Sequence, residues 1–192
     1  MYILYQIQSM KKPVLLGFTV FSSLILFSQE YVEFGYRTTD IGGSFEWYSS
    51  GTVYGLHLAF NSRQHHSVFF KLGYNNINRE DKGENDNEKG SGWGGAMGYR
   101  YYFKPFPHKF FIGARADIWR TSIDWKEGTQ SGTSKTWTAL PAFEIGYTFF
   151  VNDQAFLTPS ISTGASVNIK TDGQKVGQGF VLLAGISGGV RL

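Results

Sequence analysis

From residue 53 to residue 192, apolar side chains recur at every second position in segment after segment. No stretch carries the three-to-four spacing of an amphipathic helix. Period two sends successive side chains to opposite faces of an extended strand. Seven such segments are visible: residues 53–61, 67–77, 93–103, 110–118, 137–149, 155–169 and 180–192. In the second, Val68, Phe70, Leu72 and Tyr74 share one face, with Phe69, Lys71, Gly73 and Asn75 opposite. An eighth segment begins at Tyr31. Its apolar phase moves from Val32, Phe34 and Tyr36 to Phe45 and Trp47, a shift that a β-bulge at Gly42–Gly43 would produce.

The breaks between segments also alternate. Residues 61–66, 104–109 and 151–154 are short, whereas 78–90, 125–135 and 171–177 are longer and polar. Short and long connections at opposite ends imply antiparallel neighbours with one decorated end. No linker or internal repeat interrupts the pattern, so residues 29–192 read as one domain. With no cysteine there is no disulfide, thiol nucleophile or Cys-based zinc site.

Residues before the strands read as an export signal. Lys11 and Lys12 precede an apolar run over residues 14–27, and Ser28 is the small residue at its exit. The expected processing leaves 29–192, with Met10 as the natural start and 1–28 removed. Losing Lys11 and Lys12 reduces 18 basic against 15 acidic residues to 16 against 15, so the charge gives no argument for nucleic acid.

Alternation does not say which face is inside a closed sheet. Three features favour an apolar exterior. The polar face is rich in Gly, Ala, Ser and Thr, with one or two charges per strand, and only 17% of the chain is charged. Aromatics gather toward strand ends. Tyr101, Phe103, Phe110, Tyr147 and Phe149 flank the short turns, while Trp93, Trp125 and Trp137 lie toward the long loops, as two interfacial girdles would. Most segments are long enough to cross a bilayer at a tilt. The fold class expected is therefore all-β: a single antiparallel up-and-down eight-stranded transmembrane β-barrel, preceded by a cleavable signal peptide.

With those residues in view, the chain from Tyr31 to Leu192 resembles the small eight-stranded outer-membrane barrels of the OmpA/OmpX kind. The run Gly98-Tyr-Arg-Tyr-Tyr-Phe103, a Pro-containing turn and Phe110-Phe-Ile-Gly113 look like a pattern of porin-like outer-membrane barrels. The terminal strand resembles their C-terminal targeting strand, although it ends in Leu192 rather than an aromatic. The resemblance implies location in the cell outer membrane, lipid as the surrounding partner, and long loops able to meet an extracellular partner.

The inward face would collect Glu33, Arg37, His57, Lys71, Arg100, Arg115, Asp117, Glu144 and Arg191. In a narrow lumen such charges must pair. The expected network joins Glu33 and Glu144 to Arg100, Arg115 and Lys71, closing the lumen, with His57 hydrogen-bonded among them. The acidic stretch 79–89 reads as a solvated loop. No catalytic residue, metal or cofactor is expected, nor any nucleic acid, and the chain is read as a monomer with a structural or surface-interaction role. Two other readings stay open: a secreted lipocalin-like barrel carrying a small apolar ligand, and a lipid-modifying barrel enzyme using His65 and Ser67.

Overall fold

The computed structural model describes residues 36–80 and 83–192, with side chains from Thr38 onward. Glu33 and the expected signal segment lie outside the described residues. Eight strands follow one another: β1 (Tyr36–Tyr48), β2 (Gly51–Ser62), β3 (His66–Glu80), β4 (Asn87–Tyr102), β5 (Lys109–Glu127), β6 (Gln130–Phe150), β7 (Ala155–Asp172) and β8 (Gly179–Arg191). Each pairs antiparallel with its sequence neighbours, and β1 pairs with β8 to close the barrel. Closure leaves no unpaired sheet edge, which is the condition for strands to cross hydrocarbon.

The side chains sort as in a membrane barrel. Phe70 is 42% exposed on the outer wall, while the adjacent Lys71 is 8% exposed and faces the lumen. Leu56, Leu72, Trp93, Met97, Phe143, Ile161 and Phe180 are likewise exposed, whereas Glu46, Arg100, Arg115, Asp117 and Glu144 are buried. A water-soluble barrel would reverse this.

Two expectations need correction. The β1–β2 register runs unbroken from Thr38 to Tyr48, and the irregularity falls between Tyr36 and Thr38. The bulge therefore precedes the glycine pair. The glycines serve another purpose: a Cβ on Gly42 would sit 2.1 Å from the Gly188 carbonyl oxygen, so β1 and β8 approach too closely there for a side chain.

Two of the three long breaks, 78–90 and 125–135, are also mostly strand. β5 and β6 pair continuously to Glu127 and Gln130, leaving a tight turn in which Gly128 adopts φ 56°. β3 and β4 pair as far as Glu80 and Asn87. These hairpins stand above the aromatic row through Tyr74, Trp93 and Trp137. Polar residues in a sheet rising clear of a bilayer carry no apolar alternation, which is why they looked like loops. The short turns at the other end mark the periplasmic side, and the protruding hairpins the extracellular side.

Candidate functional site: a layered lumen

The middle of the lumen holds three cations and three carboxylates: Lys71, Arg100 and Arg115 with Glu46, Asp117 and Glu144. They form two groups. In the first, Arg100 grips Glu144 with both arms, Nε to Oε2 at 2.9 Å and Nη2 to Oε1 at 3.0 Å. Its guanidinium lies between the rings of Phe69 and Phe111, 4.3 and 4.6 Å from their centroids. In the second, Arg115 forks onto Glu46 at 2.6 and 2.8 Å, and onto Asp117 at 2.8 and 2.5 Å. Lys71 donates to the same Glu46. Forked, charge-assisted bonds of this kind offset desolvation that would otherwise expel the charges.

Glu46 is therefore the hub of the second group, and it was absent from the expected set. It occupies the inward phase of β1, opposite Phe45 and Trp47. Of the expected partners, Glu144 meets Arg100, whereas Arg115 and Lys71 meet Glu46; Glu33 lies outside the described residues. Of Arg37, only the backbone is described.

Nearer the periplasmic end, Arg191 forks onto Asp40 at 2.6 and 2.7 Å, and its guanidinium lies 4.6 Å from the Phe150 ring centroid. Arg191 thus belongs to a separate pair, with a carboxylate the sequence reading passed over. His57 packs near Phe69 and Phe156, and its Nδ1 has no hydrogen-bond partner. That departs from a hydrogen-bonded lumen histidine.

Toward the outside, Tyr48, Val53, Trp119, Leu140 and Leu183 form an apolar layer across the lumen. Tyr48 hydroxyl donates to Asn75 Oδ1 at 2.7 Å. A cavity of about 40 Å³ remains between this layer and the residues above it, space for water rather than an apolar ligand.

Above it, Val176 from the β7–β8 connection packs with Ile77 and Ile123. Glu88 fastens this connection down. Its carboxylate accepts from the Gly177 N–H at 3.0 Å, from Asn85 Nδ2 at 2.9 Å and from Arg79 Nη1 at 3.0 Å. Asn85 Nδ2 also donates to the Lys175 carbonyl, and Ser134 Oγ to the Gln174 carbonyl. Burial pushes the Glu88 carboxyl up, but these donors together hold it below the usual glutamate range. The stretch read as a solvated loop thus contains a wholly buried anchor at Glu88.

Most girdle residues face outward. Trp93, Phe103, Phe110, Trp137 and Phe149 are exposed, and Tyr101 and Tyr147 are half-buried on the same outer phase, against Phe103 and Phe149. Trp125 is the exception. It lies on the inward phase of β5, six residues beyond Trp119, and packs where Gly132 lacks a side chain. It belongs to the protruding hairpin.

His65 Nδ1 engages the Tyr102 carbonyl oxygen at 2.7 Å, and the ring stacks on Tyr101. Ser67 is buried on the inward phase of β3. His65 thus sits at the turn and Ser67 in the lumen, its Oγ without a hydrogen-bond partner. Among the described residues, no group of three or more His, Asp or Glu is arranged to hold a metal ion.

No protein-family model and no curated relative matches the chain. Solved structures with a similar fold include the N-terminal β-barrel domain of Pseudomonas aeruginosa OprF, at 11% identity over 82% of this chain and 98% of that one, TM-score 0.49. Ail, the attachment invasion locus protein of Yersinia pestis, shares 9% identity over 81% of this chain and 95% of its own in a complex with the heparin analogue sucrose octasulfate, TM-score 0.45. Neisserial surface protein A shares 17% identity over 81% and 94%, TM-score 0.44. All three identities are low, and what those proteins bind does not transfer with the fold. With eight strands closed into a ring, charges within and an apolar wall without, the chain is a small eight-stranded outer-membrane β-barrel.

Proposed function

We propose that this barrel is a non-conducting, non-enzymatic monomer whose role is structural and interactive, presenting its protruding hairpins to an extracellular partner. The observation that carries the reading is the layering of the lumen: the Asp40–Arg191 pair, the two charged groups, the apolar layer at Trp119 and Leu140, and the Val176 cap. Eight strands enclose a space that side chains can fill. The β3–β4 and β5–β6 hairpins reach farthest outward and carry Asn, Ser, Thr and charged residues, a composition suited to contact rather than to further crossing. Hydrogen bonds also join them: Gly128 N–H donates to Asp86 at 3.0 Å, so the two hairpins form one braced surface.

The lipocalin-like reading loses support because the interior is charged and tightly filled. The test of closure is planar-bilayer recording of the purified barrel. Silent membranes, or only brief small events, are expected. Large and stable open-channel currents would overturn the reading.

A further inference from the structure

Phe45, Tyr54, Tyr74, Trp93, Arg120 and Trp137 are cross-strand partners in unbroken succession from β1 to β6. All lie on the outer wall. Five are aromatic, and the sixth is a guanidinium seated between two indoles, 5.8 Å from the Trp137 ring centroid. Arg120 takes part in none of the ion pairs among the described residues. A cation costs free energy on a lipid-facing wall unless it reaches the headgroup level or meets an anion. The aromatic row marks that level.

Beneath the row lies an open groove of about 910 Å³. Its floor is the backbone at Gly55, Gly73 and Gly94, successive cross-strand partners on the inward phase of their strands. Leu56 and Leu72 form its lower wall, and Arg120 lies at its rim. An apolar channel ending at an unpaired guanidinium has the chemistry of an acyl chain joined to a phosphate. The wall above the rim adds to this. Lys135, also in none of those ion pairs, is the partner of Ser122 and so stands diagonal to Arg120, roughly 7–8 Å away by sheet geometry. Ser122 carries an exposed hydroxyl there, the Thr133 hydroxyl donates to Asp124 at 2.6 Å, and Asp172 is the β7 partner of Lys135, so the wall also offers carboxylates that sugar hydroxyls can donate to.

We propose that this groove seats one phosphorylated glycolipid of the outer leaflet, an acyl chain over the glycine floor, a phosphate on Arg120, and the sugar against the Lys135 and Ser122 wall. Two cations and a hydroxyl-bearing sheet favour a sugar headgroup over a glycerol one. The seat lies outside the barrel and does not depend on whether the lumen conducts.

Native mass spectrometry of the folded barrel tests it, with bisphosphorylated lipid A, the same lipid stripped of phosphate, and phosphatidylglycerol as probes. One retained lipid A per barrel is expected. Dephosphorylation, or Arg120→Gln, should weaken retention about tenfold, as loss of a charge-assisted contact does, and Arg120→Lys should recover part of it. Lys104→Gln, at the periplasmic turn, should change nothing. Resistance to denaturation in unheated gel samples verifies that each variant is folded. Equal retention of the phosphate-free lipid, unchanged binding by folded Arg120→Gln, or phosphatidylglycerol binding as tightly as lipid A would overturn the proposal. So would a barrel dimer that excludes lipid and dissociates on Arg120→Gln.

Discussion

Arg100 and Glu144 meet over Gly113, the cross-strand partner of both, so that β4 and β6 are joined over the strand between them by two hydrogen bonds of 2.9 and 3.0 Å, with the guanidinium clasped by Phe69 and Phe111. The pair therefore ties together two strands that share no backbone hydrogen bonds with each other. Removing one partner leaves the other charge buried and unpaired, which costs about 3–5 kcal/mol. Arg100→Met and Glu144→Leu are each expected to lower unfolding free energy by that amount in urea titrations of the vesicle-embedded barrel. The double variant should lose much less, because it leaves no orphan charge. Additive single losses would contradict a direct pairing.

Glu46 serves two cations, Arg115 and Lys71. Glu46→Gln leaves Arg115 its fork to Asp117 but leaves Lys71 without its carboxylate partner. The expected result is destabilisation of the same order as for the Arg100–Glu144 pair, about 3–5 kcal/mol, and single-channel events longer and more frequent than any the unmodified barrel gives. Lys71→Met should reduce both effects when combined with Glu46→Gln. Bilayer recordings alongside urea titrations measure the two outcomes.

How much of this could be read beforehand follows from what is local and what is not. Period two puts Phe70 and Lys71 on opposite faces, and the aromatic girdles with the small-residue face opposite say which of the two is outward. The partner of Arg115 does not follow in this way. Glu46 is 69 residues away in sequence, and alternation gives the face a charge occupies but not the charge it meets across the lumen; Asp40, by contrast, reaches the inward phase only because the bulge lies between Tyr36 and Thr38 rather than at Gly42–Gly43. Glu88 was hidden for a different reason. Above the bilayer both faces of a hairpin are polar, so nothing in the stretch 79–89 distinguishes the buried carboxylate from its exposed neighbours. Trp125 was misplaced by the same loss of signal, since an indole beyond the membrane band can face inward without breaking any apolar stripe.

Glu88 makes the extracellular cap sensitive to acid. Its carboxyl is held below the usual range in the folded barrel. A depressed carboxyl contributes stability above its unfolded value, about 4.3, and that contribution is lost as pH falls through the folded value. The hydrogen bonds to Gly177 and Asn85 should therefore hold at neutral pH and loosen well below pH 4.3. Hydrogen exchange at the Gly177 amide, corrected for its intrinsic pH dependence, is expected to show protection at pH 7 that falls in strong acid. Glu88→Gln should reduce protection at pH 7 and flatten the pH response. Protection that survives both changes would mean that Val176 packing alone holds the cap.

The outer wall offers the sharpest test of orientation. Phe70 lies four residues from Tyr74, in the upper aromatic row, and four from His66, which pairs with Tyr101 in the lower girdle. It is therefore near the middle of the apolar band. Phe70→Lys should cost about 2–4 kcal/mol when measured by reversible unfolding from lipid vesicles, as a charge at the bilayer midplane does. The same substitution at Ser122, beyond the aromatic row on β5, should cost little, because the bilayer no longer covers the wall there. In a water-soluble barrel the order would reverse: an exposed lysine at Phe70 would be tolerated. The difference between the two sites thus reports which solvent the wall faces, independent of any assumption about the lumen.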